Sequence, residues 1–389
     1  MHSNPISNAV AKTTVPTPST PSRQAYLDHI RVFLTALVVM HHSAITYGAD
    51  GGWFYKEVSH GTLSPVTRQV YSLVLTTNQA YFMGFFFLIA GYFTPPSLMR
   101  KGAGLFLKDR FIRLGVPLMA FALILAPLTI SLARLTVDGG TIFDGFYWIW
   151  IMHHYECGPM WFVQALLIFS LIYVAWTKFL RSSSAKHDDS PLPSHLVLFV
   201  AALGTGALAF AIRYYFHVGQ NVSGMQLGYF ASYVVLFFVG CRAARSRWLE
   251  RVDLRHMLPW AIVSVLMIGW LPFLGRNCPD GSLFSGGLNV FAFRYAMWEP
   301  FAAWGIILGM LYLSRRYLSG TNPFMAALVR SSYAAFFLHA PVLVGLSVLA
   351  RHWAATPMLK WLAVGLTATA CSFALSWLLV KIPGVRKVL

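Results

Sequence analysis

The sequence predicts an all-α fold, a polytopic integral membrane bundle of about ten transmembrane helices. Three observations predict it. Of the 389 residues, 57% are hydrophobic and only 11% charged, against about 25% charged in an ordinary soluble domain. The mean hydropathy is +0.59. Apolar runs long enough to cross ~30 Å of hydrocarbon recur along the chain between short basic connections. The formal net charge of +17 raises nucleic acid as a partner. The basic residues sit in the connections, as they do in cytoplasmic loops, so the expected partner is the lipid bilayer and not nucleic acid.

Residues 1–24 are rich in Ser, Thr, Pro and Asn and hold no apolar run. They are expected to form a disordered cytoplasmic tail, neither a signal peptide nor a folded unit, and 25–389 a single transmembrane domain. The first span, 28–47, carries Arg31 near one end and His42 near the other. An offset of eleven residues puts both on one helix face, about 16 Å apart along the axis. A histidine inside an apolar helix costs desolvation and marks a functional position. The second span, 68–94, holds Asn78 and Gln79, polar at depth and expected to bond helix to helix. Spans follow at 110–135, 159–179, 194–214, 225–243, 257–275, 290–314, 331–350 and 357–381. Pro117, Pro127, Pro272 and Pro300 imply kinks rather than breaks, provided neighbouring helices satisfy the freed carbonyls.

Ten crossings place 22 of the 30 Lys and Arg residues on the side of the termini and 8 on the other. By the positive-inside rule both termini are cytoplasmic, in a multi-pass protein of the cell inner (plasma) membrane. No connection exceeds about 25 residues, so any chemistry belongs to the bundle. The four cysteines show no CxxC spacing. Cys157 and Cys278 fall on the outer side, either paired or, as two apolar-flanked thiols, unpaired. No metal site is expected, since His153 and His154 are adjacent and lack a partner at ligand spacing.

The Arg31-x10-His42 spacing, Phe85-Phe-Phe-Leu-Ile-Ala-Gly91, Arg110-x-x-Arg113 leading into Pro117, and Ser331-Ser-Tyr-Ala-Ala-Phe-Phe-Leu-His339-Ala-Pro341 together resemble the membrane-bound acyltransferase-3 family, which acylates carbohydrates at the bacterial cell surface. Gly158-Pro-Met-Trp161-Phe-Val and the ending Lys381-Ile-Pro-Gly-Val-Arg look most like the branch that includes the glucan succinyltransferases. The likeness covers nearly all of 25–389. It implies that His42 matches the family's essential histidine, Arg31 its paired basic residue, Arg110 and Arg113 its cytoplasmic Arg-x-x-Arg, and Trp161 the tryptophan after the second outer loop. His41 precedes His42, and only the spacing chooses between them. The soluble esterase-like domain of some relatives is absent, so transfer is expected to finish at the membrane.

Acyl transfer from a thioester to a hydroxyl needs a base for the hydroxyl proton or a nucleophile that holds the acyl group, and histidine serves as either near neutral pH. His42 is the expected catalytic residue, and His41, turned ~100° away, the structural one. Arginine forks suit phosphates. Arg31, Arg110 and Arg113 are therefore the expected site for acyl-CoA, as acetyl-CoA or succinyl-CoA, although basic loops also touch anionic headgroups. Glu299 is an intramembrane carboxylate, expected to orient His42 or to bind sugar hydroxyls. Pairing with Arg294 competes at a poor helical spacing. Trp161 and Glu156 are expected to bind a carbohydrate acceptor, although a tryptophan at the interface also serves as an anchor. His339 lines the substrate path or is packed. The reading is an integral membrane O-acyltransferase. Its rival is a transporter or flippase without bond chemistry, against which stands the lack of an inverted repeat between 28–214 and 225–381.

Overall fold

A computed structural model describes residues 24–179, 190–276, 278, 286–320 and 322–389. The expected tail at 1–24 lies, except for Gln24, outside these residues. The described chain is helical throughout, with one isolated antiparallel bridge between Val222 and Met225 and no strand. Ten long helical segments make up the bundle. They are α1 (Ala25–Thr46), α2 (Pro65–Arg110), α3 (111–134), α4 (Trp161–Phe179), α5 (His195–Tyr215), α6 (Phe230–Ser246), α7 (Leu254–Leu274), α8 (Val290–Tyr317), α9 (Pro323–Leu349) and α10 (Pro357–Leu379).

Eight stretches among the described residues are long and apolar enough to cross a membrane, and the first, Pro65–Arg134, is 70 residues long. That length is too great for one passage. It turns at Gly102, whose φ of 72° leaves the helical region. Beyond the turn Arg110 donates back to Thr94 at 3.4 Å, a contact a straight helix would hold ~24 Å apart. The stretch therefore supplies two passages, α2 and α3. Helix α1 falls outside the eight because its polar side chains dilute its hydropathy, yet its 22 residues extend about 33 Å. The expected bundle of about ten helices is the observed one.

The expected kinks in α3 have a specific form. A π-turn at Phe111–Gly115 precedes Pro117, and another at Phe121–Leu125 precedes Pro127. Each proline withholds an N–H from the carbonyl four residues back. The Tyr333 hydroxyl donates to the Arg113 carbonyl at 2.8 Å, and the Trp150 indole N–H to the Leu123 carbonyl at 2.9 Å. Neighbouring segments thus satisfy both carbonyls, as burial in lipid demands.

Helices α2 and α6 form the most extensive helix pair. A Cβ on Gly91 would lie 2.1 Å from the Phe237 carbonyl, and one on Gly240 2.2 Å from the Leu88 carbonyl. The two glycines permit backbone contact that any side chain would block. Gln79 donates to the Tyr233 hydroxyl at 3.0 Å across the same pair, the helix-to-helix bond its depth implied. Helix α1 is enclosed by α2, α8, α9 and α10, so polar groups on it are held by four neighbours.

Candidate active site

His42 lies near the C-terminal end of α1 and is partly accessible. His339 on α9 is fully buried, and its Nε2 is 3.2 Å from His42 Nδ1. The other His339 nitrogen, Nδ1, lies 2.6 Å from the Phe336 carbonyl. A carbonyl only accepts, so in the neutral ring His339 carries its proton on Nδ1 and leaves Nε2 as an acceptor. His42 then donates from Nδ1 toward His339, its ring also bonds the backbone of Val38 one turn back, and with Nδ1 protonated Nε2 is the basic nitrogen of the ring. His339, expected either to line the substrate path or to be packed, is buried and in hydrogen-bond contact with His42.

Trp53, from the loop between α1 and α2, stacks on the His42 ring with centroids 4.0 Å apart and planes 12° from parallel. It also lies over His339 at 6.0 Å. Sequence reading missed Trp53 because a lone loop tryptophan has no periodicity to mark it. The loop is tied down at both ends. Glu57 N–H donates to the Thr46 carbonyl at 2.8 Å, and Lys360 pairs with the Glu57 carboxylate at 2.5 Å. His41 points elsewhere, packed against Phe82 at 4.9 Å, as its rotation on the helix implied.

A cavity of about 970 Å³ opens at the end of the bundle that holds the start of α1, the Gly102 turn and the end of α10. Arg31, Arg110 and Arg113 all line it, so the structure gathers the three arginines that the sequence singled out. Arg31 also meets Asp28 at 3.5 Å, and Arg110 lies 5.0 Å over the Phe106 ring. Arg330, Lys381 and Arg386 join them. Sequence reading counted these three among the loop charges, and Lys381 and Arg386 also as the ends of the C-terminal motif, but their convergence needs the fold to show. Inward, the lining turns apolar at Phe86, Phe162 and Phe336, whose rings meet at 5.5, 5.9 and 6.4 Å. The Phe336 ring is 5.6 Å from that of His339. The cavity therefore ends one side chain from the histidine pair.

The other expected site residues lie apart from this centre. Glu299, 3% exposed, bonds Arg213 of α5 at 2.5 Å; its partner is neither His42 nor Arg294. Arg213 also donates to the Gly228 carbonyl at 2.9 Å and lies 4.9 Å over the Tyr295 ring. The Glu299 carboxylate is thus paired with a buried guanidinium. Trp161 is built into an aromatic cluster, stacked on Tyr233 at 5.5 Å. Glu156 accepts from the Gly158 N–H at 2.7 Å. Burial pushes its carboxyl above the usual range, and the Gly158 bond opposes that shift. Cys157 beside it is a buried free thiol, not half of a disulfide. No three His, Cys, Asp or Glu side chains gather as metal ligands among the described residues.

Residues 24–379 match the family model of an acyltransferase domain, acyltransferase-3. No curated protein and no solved structure matches the chain. The match covers most of the chain, which belongs to this family and is a multi-pass membrane acyltransferase.

Proposed function

We propose, from this family membership and the site geometry, that the protein is an O-acyltransferase of the cell inner membrane. It moves a small acyl group from cytoplasmic acyl-CoA to a hydroxyl of a cell-surface or periplasmic carbohydrate. One observation carries the reading. A cavity with a basic mouth at Arg31, Arg110 and Arg113 ends, through an apolar neck, beside a paired histidine. The phosphates of CoA suit the mouth, since arginine forks match phosphate oxygens and arginine keeps its charge. The pantetheine arm and acyl group suit the apolar inner wall, where Phe86, Phe162 and Phe336 line the cavity.

Within this reading both termini are cytoplasmic, which puts the basic mouth on the side where acyl-CoA is made. His42 Nε2 takes the proton of the acceptor hydroxyl, and His339 holds the ring in the tautomer that leaves Nε2 bare. Trp161 and Glu156, where α4 begins, line the approach of the acceptor. The run from Gly158 to Val163 supports placement near the glucan succinyltransferase-like branch, so acetyl-CoA and succinyl-CoA are the donors to compare.

The test is acyl-CoA consumption by the purified protein in nanodiscs with an envelope glycan extract, and mass spectrometry of the products. Ester formed by the wild type and lost in His42→Ala and Arg31→Ala supports the transferase reading. Glycan or acyl group carried across the bilayer with the thioester intact would favour a transporter instead.

A further inference from the structure

Acyl transfer needs two things at the reacting carbon, a base for the incoming hydroxyl and a donor for the oxygen that becomes negative. His42 supplies the first. The groups around it offer few choices for the second. Both His339 nitrogens are engaged, one with the Phe336 carbonyl and one with His42. The unpartnered Nδ1 of His41 belongs to a ring packed on Phe82, turned ~100° away from His42 on the helix.

The Trp53 indole differs from all of these. Its N–H is buried and has no hydrogen-bond partner among the described residues. An indole nitrogen can only donate, and buried tryptophans ordinarily find an acceptor. This one is left unspent in the layer directly over the His42 imidazole, 4.0 Å from it between ring centres.

We infer that the Trp53 indole N–H is the oxyanion donor of the transfer, an inference that rests on the transferase reading above. The acceptor hydroxyl gives its proton to His42 Nε2 as its oxygen bonds to the thioester carbon. The carbonyl electron pair moves onto the carbonyl oxygen, and the Trp53 N–H donates to that oxyanion. When the carbonyl re-forms, the C–S bond breaks and the thiolate takes the proton back from the His42 imidazolium. The products are ester and free CoA thiol, with no other reagent. Because Glu57 anchors the loop through the Thr46 carbonyl and Lys360, the donor is fixed before charge develops, which is the condition for such a bond to lower a barrier.

Trp53→Phe keeps a ring over His42 and removes the N–H. Trp53→His keeps a ring and restores a donor. With acetyl-CoA and the envelope glycan extract, the readouts are kcat and KM from thiol release, and the acetyl-CoA Kd by calorimetry. We expect kcat of Trp53→Phe to fall ~10²–10³-fold, the usual loss for one oxyanion donor, with KM and Kd unchanged, and Trp53→His to recover at least tenfold. An unchanged Kd shows that each variant keeps its fold. Trp53→Phe turning over at the wild-type rate overturns the inference alone, as do equal losses in the two variants. A wild type that binds acetyl-CoA and releases no thiol overturns the transferase reading and the inference with it.

Discussion

Two polar pairs inside the bundle are opposites. Arg213 and Glu299 carry full charges of opposite sign, sit 2.5 Å apart and are closed off by Gly228, Tyr229 and Tyr295. His42 and His339 are two imidazoles in hydrogen-bond contact, one side chain away from an open cavity. A buried ion pair has its desolvation cost offset only when each charge meets the other, so it gains nothing by opening to substrate. A neutral imidazole pair has a low desolvation cost and keeps a proton acceptor in reserve. Depth and polarity alone do not separate the two pairs; charge and distance from the cavity do.

The largest test of this contrast is His42→Ala. Transfer is expected to fall below detection while the protein is still inserted and monodisperse in detergent, whereas Glu299→Gln keeps a measurable kcat. Ester formation at the wild-type rate by His42→Ala would end the assignment. Next comes Arg213→Met, which leaves the Glu299 carboxylate buried and unpaired. It is expected to cost about 3–5 kcal/mol of stability, and the double change to Met and Leu to recover most of it, because the charges leave together. Thermal unfolding in detergent reads both, and a double variant no better than the single would break the comparison.

His339→Phe tests the neutral pair from its other end. It keeps a ring but cannot fix the His42 tautomer, so kcat is expected to drop ~100-fold, in the usual range for misplacing a general base, with the acyl-CoA KM unchanged. A smaller effect is expected at the mouth. Arg113→Ala removes one charge-assisted contact of about 1.5–3 kcal/mol and is expected to raise the acyl-CoA KM tenfold or more while leaving kcat in place. A fall in kcat with KM constant would move the arginine from binding to chemistry.

What the sequence made legible lies along single helices. The offset of Arg31 from His42, the three-residue step from Arg110 to Arg113 and the length of each apolar run are properties of one helix, and the structure carries all of them. The rest depends on which helices touch. Glu299 finds Arg213, 86 positions away, and sequence reading had only the local Arg294 to offer. His339 was ambiguous because its answer lies on α1. Trp53 sits in the loop between α1 and α2, where neither period nor hydropathy says which side chain folds inward. The turn at Gly102 lay between two predicted spans, and one glycine among 30 gives no sign of which will leave the helical region.

Pro117 reaches further than the bend it causes. An alanine there would bring an N–H to compete for the Arg113 carbonyl, the one that the Tyr333 hydroxyl now holds. The segment would gain a helical bond and lose one of its ties to α9, the helix bearing His339, leaving contacts such as that of the Phe121 and Phe337 rings to hold the two together. An imino acid with no charge and no reactive group thus frees a carbonyl for a neighbouring helix, and α3 and α9 share a bond that an unbroken helix would have kept to itself.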